Sequence, residues 1–248
     1  MRKRDSMHYR RTALRLLLFF LTVFGTPAIA VDGGKVFTAE DFAQGHVPRC
    51  SNEDEPTSLM IQISPKLPPY RFTLIPEPVA APDGVVHHVG RIEISKPGAE
   101  QILQTIEIMS NWNDSICLFE ARDVDFDGYL DIFSIREGNG TWASRDYYLF
   151  DVQSGRFITN DLTRDLDQLR DNGLIFDWKT REIRASFMFS LCGGMDIYKI
   201  DDGRLVKIQE DTVSINAEKN QCIETVKRRV NGKWRVTRVE AKEIPRLH

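Results

Sequence analysis

The stretch DVDFDGYLD, Asp123 to Asp131, gathers four carboxylates into nine residues. Like charges this close repel, so the pattern calls for a counter-charge. A hard divalent cation takes six to eight oxygen ligands, and calcium accepts them from a flexible loop. In D-x-D-x-D-G-x-x-D, the side chains of Asp123, Asp125 and Asp127 offer carboxylates. Gly128 permits the sharp turn, the carbonyl of Tyr129 falls at the seventh position, and Asp131 at the ninth. The twelfth position of an EF-hand is a bidentate Glu. Here it is Ser134, and the flanks read as strands. We therefore expect Ca2+ in a strand-loop-strand site. The competing reading is a solvated acidic turn.

Other chemistry is sparse. There is no G-x-S-x-G, and no nucleophile stands beside a plausible base. We expect no enzymatic activity. After the aspartates, REGNGTWASRDYYLFD (136–151) places small, polar and aromatic residues between two strands. Gly138, Asn139, Gly140, Thr141, Trp142, Ser144, Tyr147 and Tyr148 are read as a partner-binding loop, because exposed aromatics on a rigid loop are common hot-spot material.

These groups must be carried by a scaffold, and the start of the chain indicates where that scaffold works. Arg2, Lys3, Arg4, Arg10 and Arg11 form a basic region, an apolar run follows to Phe24, and Ala28-Ile29-Ala30 makes a small-x-small cleavage site. Positions 1–30 read as a secretory signal peptide. The expected locale is periplasmic or secreted, with no membrane span after cleavage. Without those thirty residues the chain keeps 27 basic and 35 acidic side chains, a formal charge of −8. That balance argues against nucleic acid as a partner. Cys50, Cys117, Cys192 and Cys222 all follow the signal. An even count in an exported chain reads as two disulfides. Three connectivities are open, and Cys192–Cys222 with Cys50–Cys117 is favoured. No C-x-x-C is present, which removes the common zinc spacing.

The pattern along the chain is mainly β. Positions 31–56 read as an N-terminal arm, and 57–248 as a single β domain. Strands are expected at 58–64, 89–95, 101–109, 116–124 and 130–137. The proline-rich passage 65–82 reads as a covering loop with at most an edge strand at 70–75, since proline cannot donate to a ladder. The second half repeats strand, tight turn, strand. Asp202-Gly203 and Asn231-Gly232 are strong hairpin signals because both dipeptides accept positive φ. Leu162, Leu166 and Leu169 have helical spacing. The expectation is an antiparallel meander, propeller-like, with the calcium loop between strands and at most one short helix.

The run ARDVDFDGYLDIFSIREGNGTWASRDYYLFDVQSGRF, followed by FDWKTREI, CGG and DGRLVKI, resembles a known family. This is the exported calcium-binding lysozyme-inhibitor-like proteins of Gram-negative bacteria, which include immunity proteins against type IV-secreted peptidoglycan-cleaving toxins. The resemblance spans roughly residues 110 to 210. It implies a β-propeller-like fold, one bound calcium, and a loop that plugs the cleft of a lysozyme-like hydrolase. Ser144-x-x-Tyr147 matches the Ser-x-x-Tyr spacing that such plugging loops carry. The lipid-anchoring cysteine of many relatives is absent. The alternative is a calcium-dependent structural or adhesion module of FG-GAP-like kind.

Overall fold

In a computed structural model the described residues are 30–44, 56–80, 86–96, 98–99, 101–109, 119–139, 142–169, 174–189 and 192–244. They form three open sheets, none closed into a barrel. The first sheet runs in sequence order through β1 (Ala30–Phe37), β2 (Thr57–Ile61), β3 (Tyr70–Ala80), β4 (Val86–Ser95) and β5 (Ile102–Met109). The expected arm is therefore structured in its first part. β1 pairs parallel with β2, and a five-residue helix, α1 (Ala39–Ala43), follows it. Thr38 caps α1, exchanging bonds with Asp41 in a capping box, and Phe42 buries itself against Phe37 with ring centroids 6.1 Å apart. Apolar anchors at only two positions explain why the segment reads as polar and punctuated.

The proline-rich passage also differs from expectation. β3 is an eleven-residue strand bonded on both sides, and it contains Pro76 and Pro78. The register supplies the reason. β2 opposes only 70–74 of β3, whereas β4 opposes 71–80. At Pro76 and Pro78 the β2 side has no neighbour, so the missing N–H groups cost no ladder bond there.

The second sheet consists of β6 (Phe119–Arg122), β7 (Asp131–Asn139), β8 (Trp142–Asp151) and β9 (Arg156–Ile158). Its two faces bury two cores, as the period-two alternation of a strand allows. Ile132 and Phe150 join Phe72, Leu74, Ile92 and Ile106 of the first sheet. Phe133, Tyr147 and Leu149 face the other way, onto Ile183, Leu162 and Leu166. The leucines belong to a second helix, α2 (Asp161–Asp167), which the leucine spacing foretold. Two helices are thus present among the described residues, one more than expected.

The third sheet runs β10 (Leu174–Asp177), β11 (Glu182–Phe189), β12 (Cys192–Asp201), β13 (Arg204–Asn216), β14 (Gln221–Val230) and β15 (Lys233–Glu243). Asp202-Gly203 and Asn231-Gly232 sit at its turns with φ of 50° and 68°, and 50° and 75°. The Cys192–Cys222 disulfide forms, with Cα atoms 6.0 Å apart. It links β12 to β14, which are not neighbours: β13 lies between them in the sheet. Cys50 and Cys117 lie outside the described residues.

Candidate metal centre

The aspartate loop connects β6 to β7 and is folded largely by its own carboxylates. Asp123 accepts from the backbone N–H groups of Asp127 and Gly128. Asp125 accepts from Asp127 N–H at 3.1 Å, and Asp127 from Tyr129 N–H at 2.8 Å. Two residues take positive φ: Gly128 at 92° and Phe126 at 64°. Nothing lies within 4 Å of a Cβ built on Gly128, so the turn needs glycine for its dihedral and not for space. Phe126 enters this region at a steric cost. Its buried ring is held edge-on by Trp178, 5.1 Å between centroids, and Phe176, 6.4 Å.

The result is a convergence of Asp123, Asp125 and Asp131, one carboxylate oxygen of each lying within 4.8 Å of the others. Asp123 and Asp131 are buried. Three carboxylate oxygens at that separation are a donor set for a divalent cation. Asp127, expected as a fourth carboxylate, is outside the cluster; its side chain is exposed to solvent and turned back onto Tyr129 N–H. Tyr129 stacks on Phe150 at 5.8 Å.

Burial and mutual repulsion disfavour the ionised form of these carboxyls. Burial pushes the Asp123 carboxyl up to about 7, and the charges of Asp125 and Asp127 push the same way against the bond from Gly128 N–H. Burial, then Asp127, raises Asp125 to about 6. Asp131 is raised well above the ordinary carboxylate range by burial first and by Asp125 second. A bound cation reverses this logic, because it favours the ionised form of each ligand.

Asp131 also ties the loop to the body. One of its oxygens accepts from Val124 N–H at 2.8 Å, the other from Phe150 N–H of β8 at 2.9 Å. The next anchor upstream is Leu130 N–H to the carbonyl of Ile63, 2.8 Å, which joins the loop to the first sheet. A cleft of about 1020 Å3 opens beside it, bordered by Asp123, Gly128, Tyr129, Arg122, Phe176 and Trp178. Phe126 and its two aromatic neighbours carry the loop, and sequence reasoning missed them. The signal was present as a lone aromatic inside an acidic turn.

The expected partner loop is mostly strand. Gly138 and Asn139 end β7, Trp142 begins β8, and Asn139 opposes Trp142 in the register. Gly140 and Thr141 lie outside the described residues. Ser144 and Tyr147 are each 3% exposed. Tyr147 packs on Phe133, 5.3 Å between ring centroids, in the second core. Tyr148 is half-buried against the first core, with its hydroxyl donating to the Glu107 carbonyl at 3.4 Å. Residues 138–139 and 142–144 read as loop because pairing between β7 and β8 overrides their low strand propensity.

No family model matches the chain, and neither does any curated protein or solved structure.

Proposed function

We propose that the chain is a calcium-stabilised, non-enzymatic protein of the periplasm or the secreted space that binds and blocks a lysozyme-like glycoside hydrolase. The observation that carries the metal part is the convergence of Asp123, Asp125 and Asp131. Calcium is preferred over magnesium because the loop itself supplies several oxygens, and magnesium keeps most of its waters. The three successive sheets, antiparallel apart from the β1–β2 pair, are read as propeller-like blades. The partner class rests on the family resemblance.

Support for a link between metal and partner comes from Asp131, which belongs both to the cluster and to the β8 backbone. An ion that orders Asp131 orders the root of the β7–β8 hairpin. A recognition element held in shape beforehand binds with less entropic cost. Since Ser144 and Tyr147 are buried, the contact surface in this reading is the far end of that hairpin, around 138–142, and those two side chains support it from within.

Burial of Ser144 and Tyr147 also favours a second reading: a calcium-braced structural or adhesion module with no inhibitory role. A pull-down with immobilised lysozymes of several classes separates the two. Retention in calcium and loss in chelator supports the inhibitor. No retention of any lysozyme, alongside a calcium-dependent melting temperature, supports the module.

A further inference from the structure

The edge of the third sheet carries an interaction surface that the metal site does not use. All eleven residues of β15 are exposed, and its outer edge pairs with nothing among the described residues. Long edge strands of this kind are ready templates for another strand. The register with β14, which slips by one residue at Val226/Lys227, sorts the side chains onto two faces. One face bears Trp234, Val236, Val239 and Ala241, with Glu243 at its end; the other bears Lys233, Arg235, Arg238, Glu240 and Lys242. Trp234, Val236 and Val239 are 44%, 58% and 64% exposed. On the charged face, Glu224 pairs with both Arg238 and Lys242, and Glu240 lies 3.9 Å from Arg238 and 3.5 Å from Lys242. Arg235 has no ion-pair partner among the described residues.

We propose that β15 pairs antiparallel with β15 of a second copy of this chain, about a two-fold axis between Thr237 and Arg238. Two-fold pairing sets each residue against its mirror position. Trp234 then opposes Ala241 of the second copy and Val236 opposes Val239, so apolar meets apolar on one face. On the other face Arg235 opposes Glu240, twice per dimer. Lys233 opposes Lys242 at the ends, where Glu224 already neutralises Lys242 at 2.7 Å. The apolar pairs choose this register. A slide by two residues in one direction sets Lys233 against Glu240 and Arg235 against Arg238 but leaves Val236 opposite Thr237, and in the other it sets Arg235 against Lys242 and Trp234 against Glu243. A slide by one residue puts the apolar face of one copy beside the charged face of the other. The occupant is a second copy because the strand is complementary to itself, as an isologous interface requires.

Sedimentation velocity of the full exported chain over a concentration series tests this. We expect a reversible monomer–dimer equilibrium. Arg235→Glu creates two like-charge pairs across the interface and should weaken dimerisation about tenfold; Glu240→Arg should weaken it at least as much, since it also places a cation beside Arg238 and Lys242 of its own strand. The double variant restores both cross-interface pairs with reversed sign and should dimerise more tightly than either single variant. Val236→Lys should abolish the dimer while leaving the melting temperature of the monomer unchanged, since that side chain already faces water. A monomer at every concentration overturns the proposal. A dimer that ignores the single reversals, or that the double variant fails to rescue, overturns it equally, because the contact then lies elsewhere.

Discussion

Asp131 does two jobs with two oxygens, and that sets what its loss should cost. Removing the carboxylate in Asp131→Ala leaves the buried N–H groups of Val124 and Phe150 without their acceptor. Each such orphan costs about 1–3 kcal/mol, so destabilisation should be large even in chelator, and urea unfolding measures it. Asp125→Ala removes a ligand that is bonded only within the loop. It should abolish the calcium-induced rise in melting temperature with little cost in chelator. The raised carboxyls add a pH dependence. A group whose folded-state pKa lies above its unfolded value stabilises fully below the unfolded value and loses that contribution as pH rises through the folded one. With Asp123 and Asp125 lifted from 3.8 to about 7 and about 6, the metal-free protein should lose stability between about pH 4 and pH 7. Calcium should cancel the loss, since binding requires deprotonated ligands and releases protons. Melting curves across that range with calcium and with chelator check it. A metal-free melting temperature that rises through the window contradicts the assignment.

At the scale of elements, turns and strongly periodic segments were legible and the polar or proline-marked ones were not. Asp202-Gly203 and Asn231-Gly232 announced their hairpins because the dihedrals they take are forbidding for most residues. Leu162 and Leu166 announced α2 through a shared buried face. β1 and α1 stayed hidden because five helical residues with one buried phenylalanine leave no period to detect. β3 was half-hidden because a strand can be central along one stretch and an edge along another, and no single-strand pattern encodes where its neighbour stops. The site divides the same way: the carboxylate spacing was visible, while the aromatic clamp on Phe126 comes from β10 and the turn after it, some fifty residues away. The Cys192–Cys222 bond gives this scale its own test. It closes a segment of 30 residues, worth roughly 3–4 kcal/mol in the loop-entropy model. Paired Cys192→Ser and Cys222→Ser replacement should lower the denaturant midpoint by a corresponding amount and leave the calcium-induced shift intact, because the bond and the aspartate loop share no residue.

At the scale of the molecule, the second sheet is the hinge of the architecture: each of its faces completes a core shared with a different neighbour. The aspartate loop emerges from that sheet and is anchored to the first through Leu130 and Ile63. Calcium should therefore slow amide exchange in β6 to β9 and at Leu130 more than in β13 to β15, and exchange followed by mass spectrometry would reveal a uniform effect as readily as a local one. Within each sheet, every strand bonds to the strand before or after it in the chain. Few distant segments must find one another before pairing begins, which is the condition under which β proteins fold quickly. Each sheet can close as soon as its own stretch of chain is available, so the three can form one after another from the amino end, and a cation held by the aspartate loop would fasten the second sheet to a first already built.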